Sequence, residues 1–96
     1  MPKYVILVNL TDQGMQNVNE SPQRFEAFHA MAEKMGIKVE SVYYTQGQYD
    51  MVVITEGAEE AGMVSLLKLA SLGNARFQTM RAYSVDEMKG FISKMP

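Results

Sequence analysis

Lys3-Tyr4-Val5-Ile6-Leu7-Val8-Asn9 is apolar at odd and even positions alike and rich in β-branched residues. Because side chains alternate across a strand, a run of this kind fits a strand covered on both faces, at the centre of a sheet. Tyr49-Asp50-Met51-Val52-Val53-Ile54-Thr55 has the same character. Between the two lie a helix and a poorer strand. Ser21-Pro22-Gln23-Arg24 offers a serine N-cap with proline at the first helical position, where a missing N–H costs nothing. Phe25, Phe28, Ala32 and Met35 then recur at spacings of three and four, and Gly36 supplies a terminator. Ile37 to Thr45 alternates imperfectly and carries Lys38 and Glu40, as suits an edge strand. Gln46-Gly47-Gln48 turns that edge straight into the Tyr49–Thr55 run, giving an antiparallel hairpin.

The second half repeats the plan. Ala58 to Leu72 is a helix whose apolar residues, Met63, Val64, Leu66, Leu67, Leu69, Ala70 and Leu72, spread wider than one sheet face requires. Asn74 to Ser84 is a fourth strand of mixed character. Ser84, with Glu87 at capping-box spacing, starts a last helix with Met88, Phe91, Ile92 and Met95 on its apolar side. The order βαββαβ plus a C-terminal helix is the ferredoxin-like α+β arrangement: an antiparallel four-stranded sheet, helices on one face, and right-handed crossovers. The two doubly apolar runs fall on the strands that this topology puts at the centre. Helices on one face leave the other face of those strands in need of cover, and a second subunit is the simplest cover.

The residues from Lys3 to about Met88 also resemble the GYD domain family. The likeness is carried by Lys3–Asn9, Ser21-Pro22, Tyr43-Tyr44-Thr45, Gly47-Gln48-Tyr49-Asp50, Ser71-Leu72-Gly73-Asn74 and Arg81-Ala82-Tyr83-Ser84. The family's Gly-Tyr-Asp signature corresponds to Gly47, Tyr49 and Asp50. Members are small bacterial and archaeal proteins similar to the dimeric α+β barrel superfamily, in which two sheets pack face to face around a shared interior. The resemblance therefore implies a fold and a homodimer more firmly than an activity.

Composition narrows the function classes. The 96 residues suit a single domain, 1–96. Nine basic against eleven acidic residues, for a net charge of −2, offer no footprint for nucleic acid or an anionic membrane, so neither is expected as a partner. The absence of cysteine excludes disulfides, thiolate metal sites and thiol nucleophiles. The first apolar run is too short for a signal peptide or a membrane span, which leads to a cytoplasmic expectation. Nine methionines accompany no tryptophan, and they are expected to fill the core or an interface.

Candidate chemistry is sparse. His29, the single histidine, stands one turn before Glu33, where a solvated i,i+4 pair is routine, so no metal or haem site and no cofactor is expected. Gly47, Tyr49 and Asp50 either build the turn, with Asp50 bonding backbone amides, or line the mouth of a pocket. Arg81, on a face with Phe77, Thr79 and Tyr83, would meet Asp50 of either subunit or an anionic or enolic ligand if that face is the open one. Asn9, at the end of the first strand, would donate to such a ligand or cap the following loop. Nucleotide-binding and triad motifs are absent, and Leu10-Thr11-Asp12-Gln13-Gly14 lacks the arginine of an acylphosphatase loop. Three functions follow: a dimer binding a small, partly apolar or anionic molecule between its sheets through Asn9, Tyr49, Asp50 and Arg81; a cofactor-free enzyme of monooxygenase or isomerase type; or a structural or regulatory oligomer resembling the trimeric ferredoxin-like signalling proteins.

Overall fold

The computed structural model describes residues 1–96. Its strands are β1 (Lys3–Leu10), β2 (Lys38–Tyr44), β3 (Met51–Glu56) and β4 (Ala75–Ala82). Its helices are α1 (Asp12–Gln16), α2 (Ser21–Lys34), α3 (Glu59–Ser71) and α4 (Val85–Ser93), with a 3₁₀ turn at Val18–Glu20. All strand pairs are antiparallel in the order β2-β3-β1-β4, so the two doubly apolar runs are the central strands and the fold is ferredoxin-like.

The register assigns the faces. Tyr4, Ile6, Val8 and Leu10 of β1 stand opposite Arg81, Thr79, Phe77 and Ala75 of β4, and Ile6 and Val8 stand opposite Val53 and Met51 of β3. Phe25 of α2 and Leu66 of α3 pack on this set, which makes it the helix face. Its buried centre is Ile6, Val8, Met51 and Val53, all from the two central strands. At roughly 1.5–3 kcal/mol for each fully buried aliphatic side chain, that is a modest core. Val5, Leu7, Val52, Ile54 and Met80 alternate onto the opposite face, and no helix of the chain covers it.

Several local features depart from the expected pattern. Asp12–Gln16, within the polar stretch that contains Asp12, Gly14 and Asn17, is a short helix capped by Thr11, whose hydroxyl accepts the Gly14 N–H at 3.1 Å. Ser21 does not cap α2; it is buried, lies within the helix and shares a 2.8 Å hydrogen bond with the Tyr44 hydroxyl. The imperfect alternation of β2 has a cause in a bulge between Val39 and Ser41. Among the methionines only Met51 is buried, while Met63, Met80, Met88 and Met95 are all more than two-fifths exposed.

The capping box of α4 forms as its spacing predicts: the Glu87 N–H donates to Ser84 Oγ at 3.0 Å and the Ser84 N–H to Glu87 Oε1 at 2.9 Å. The hydrogen bond from the Ser84 backbone holds the Glu87 carboxyl below its ordinary pKa. A carboxylate with a lowered folded pKa stabilises fully above its unfolded value and loses that contribution as pH falls through the folded one. Helical Cα shifts over residues 85–93 should therefore drift toward coil between about pH 5 and pH 3. Glu87→Gln should flatten that drift; an unchanged profile would assign the fraying elsewhere. Beyond its cap, α4 makes only marginal contact with the rest of the fold, chiefly where Phe91 meets Tyr83 edge-on at 5.1 Å between centroids.

Candidate functional site

The β2–β3 turn positions the signature residues. Gly47 adopts φ +132°, a backbone conformation that side-chain-bearing residues rarely take. The Thr45 N–H donates to Asp50 O at 2.8 Å and the Thr45 hydroxyl to Tyr49 O at 2.6 Å, which close the turn. The Asp50 N–H then donates to Val8 O at 2.8 Å, and its carboxylate accepts the Leu10 N–H at 2.8 Å. One residue thus extends the β1–β3 ladder on its backbone and fastens the end of β1 with its side chain. Tyr49 reaches past β1 altogether, its hydroxyl donating to Gln78 Oε1 of β4 at 2.6 Å.

Asn9 lies at the same end of the sheet, opposite Arg76, on the open face by alternation. Asn9, Tyr49 and Asp50 are therefore brought together, with Gln78 and Arg76 beside them. Arg81 does not join them. It stands opposite Tyr4, on the helix face, five residues along β4 from Arg76, or roughly 17 Å. There its guanidinium lies 4.5 Å from the Tyr83 ring centroid and 5.9 Å from that of Tyr4, and donates to the carbonyls of Lys3 and Ala82. Within one chain Asp50 and Arg81 form no ion pair, and the cation at the polar end of the open face is Arg76. The two faces of β4 are equally mixed in composition, so only the pairing of β4 with β1 distinguishes them.

His29 pairs with Glu33 at 3.1 Å along α2, and its ring lies 6.0 Å from that of Phe25. No three His, Asp or Glu side chains converge in a way that would hold a metal ion.

An apolar cavity is on the other side of the sheet. It has a volume of about 260 Å³ and lies between α2, α3 and the helix face, with Phe25, Met31, Met51, Leu69 and Phe77 among its walls and Arg24 and Lys68 as its basic lining. A second hollow of about 250 Å³ shares Ile6, Phe28 and Leu66 with it and has Glu59 in its lining. Sequence periodicity marks these residues as core, but carries no signal that the helices stand far enough apart to leave space.

The GYD domain family matches residues 4–92, which include the turn and, but for Lys3, all four strands. The chain belongs to the GYD family. A relative from Thermus thermophilus, the glutamine synthetase and cystathionine beta-lyase binding protein, is 33% identical over 91 residues, spanning 92% of this chain and 95% of that protein. Among solved structures, FFRP-DM1 matches with a TM-score of 0.57 at 21% identity, over 86% of this GYD domain and 100% of that chain. The feast or famine regulatory protein from M. tuberculosis, complexed with L-methionine, matches with a TM-score of 0.54 at 16% identity, over 88% of this chain and 52% of that one. At these identities the structural likenesses speak for the ferredoxin-like fold. No helix of this GYD domain is long and apolar enough to cross a membrane.

Proposed function

We propose that this GYD domain is a cytoplasmic, self-associating binding module, two copies meeting through the open faces of their sheets and the assembly engaging a partner enzyme. The observation that carries the reading is the stripe of Val5, Leu7, Val52, Ile54 and Met80 on a face without cover. Four strands about 4.8 Å apart and about seven residues long give that face roughly 19 Å by 24 Å, or about 450 Å² in projection. A stable interface takes about 800 Å² from each partner. Tyr43, 66% exposed on the same face, and the apolar side of α4 are the surfaces available to make up the difference. The partner enzyme is inferred from the Thermus relative, whose name records binding to glutamine synthetase and cystathionine beta-lyase. Within such an assembly Asn9, Tyr49 and Asp50, with Arg76, mark the end of the interface where a small anionic or enolic molecule would be read. Arg81, on the helix face at the sheet's opposite end, takes no part in this reading.

Light scattering on the eluting protein tests the assembly. Wild type should elute as a dimer or larger at micromolar concentration, and Leu7→Glu, at the centre of the stripe, should elute as a monomer with unchanged circular dichroism. A monomeric wild type would remove the reading. Calorimetric titration of the wild-type assembly into purified glutamine synthetase from the same source tests the partner separately, and an absence of heat would reject it.

A further inference from the structure

We propose that the cavity between α2, α3 and the helix face of the sheet is a binding site for a small amphipathic carboxylate, its apolar body inside and its charge met by Arg24 and Lys68. The volume sets the size of the body. A 150 Å³ apolar cavity accepts a six-carbon ring, so about 260 Å³ accommodates about ten carbon atoms. Fourteen of its eighteen lining residues are hydrophobic, and the cavity opens to solvent, so a ligand with an apolar body seated there would remove that surface from water. Met31 and Met51 lie in its wall, and methionine adapts to ligands of irregular outline.

Charge decides the class. No carboxylate lines this cavity, whereas both of its charged lining residues are basic. Lys68 makes no ion pair within 4 Å. Arg24 meets only the exposed Glu20, at 3.9 Å, and is steadied by the carbonyls of Asn17 at 2.9 Å and Gly14 at 3.5 Å. Glu59 belongs to the neighbouring hollow, so the charged side chains that line this cavity are both cations, which favours an anion in it. The hydroxyl of Ser21, buried in the wall, is already taken by Tyr44, and Asn74 Oδ1 by Gln13, which leaves Lys68 without a side-chain partner and Arg24 as the second cation to fix orientation.

The site lies within one chain and is independent of the assembly through the open face. The methionines supply the test. With methyl-¹³C methionine in the full chain, decanoate below its micellar concentration should move the Met31 and Met51 resonances saturably. Met80 on the open face and Met95 beyond α4 should stay in place. Decanol should bind about tenfold more weakly than decanoate, and Lys68→Gln, an exposed substitution that disturbs no hydrogen bond of the Lys68 side chain, should remove most of that difference. The monomeric Leu7→Glu variant should bind decanoate as wild type does. Equal affinity for decanol and decanoate would overturn the anionic assignment. Shifts led by Met80, or no saturation at Met31 and Met51, would overturn the site.

Discussion

Gly14→Ala is expected to destabilise this GYD domain by about 3 kcal/mol or more, the sum of overpacking and the hydrogen bonds it would break. A Cβ at position 14 would lie 2.0 Å from the carbonyl oxygen of Asn74 and 2.9 Å from its carbonyl carbon, both backbone atoms with no side-chain freedom to yield. That same carbonyl accepts the Thr11 N–H at 3.1 Å, while the Thr11 hydroxyl donates to Gly73 O at 2.5 Å. Gln13 Nε2 adds bonds to Leu72 O at 3.1 Å and Asn74 Oδ1 at 3.0 Å. Moving α1 away to admit one methyl group would therefore detach it from the turn between α3 and β4. Urea unfolding should show a lower midpoint at an unchanged slope. A midpoint like that of wild type would mean that the two backbones do not approach so closely in solution.

Asp50→Ala is expected to cost about 2 kcal/mol, because a charge-assisted bond to a ladder amide is lost and the Leu10 N–H is left without its acceptor. Asp50→Asn should cost much less, since an amide oxygen can still accept from Leu10. The pair of variants separates position from chemistry: the structural role is kept by asparagine, whereas proton transfer or charge recognition is not. If alanine were tolerated, the carboxylate would not be the fastening of β1, and its place in the signature would rest on binding alone. If both variants folded normally but only asparagine kept ligand affinity at the polar end, charge at Asp50 would be irrelevant to that affinity.

The central strands were legible in the sequence because β-branched residues at odd and even positions have few alternatives to burial on both faces. The edge character of β2 followed from Lys38 and Glu40, and the capping box of α4 from a spacing that depends on local geometry alone. What the sequence concealed depends on contacts made at a distance. Nothing near Gly14 in the sequence marks its constraint, which is that the Asn74 backbone, sixty residues later, leaves no room for a side chain. Ser21 reads as a cap, yet Tyr44 takes its hydroxyl. Arg81 reads as a binding cation only if its face is open, and the face is decided by its register against Tyr4. Of the candidate site, the structural half of the signature was legible: a glycine turn and an aspartate on a backbone amide. The reach of Tyr49 to Gln78 requires the strand order, and the helix-side cavity requires the spacing of α2 and α3, neither of which is a local property.

The charges along the sheet's two edges bear on how association would stop. Lys38 and Glu40 stand on β2, with Lys3 Nζ 3.3 Å from Glu40, and Arg76 and Arg81 stand on β4. Strands that continued the ladder past either edge would bring these side chains beside those of another copy, which disfavours growth into a continuous sheet. The apolar stripe of Val5, Leu7, Val52, Ile54 and Met80 lies on the open face instead, and contact between two identical faces closes on itself through a twofold axis, leaving no free end for a third copy to extend. Association through that face, as proposed above, would therefore give a finite particle and not a filament.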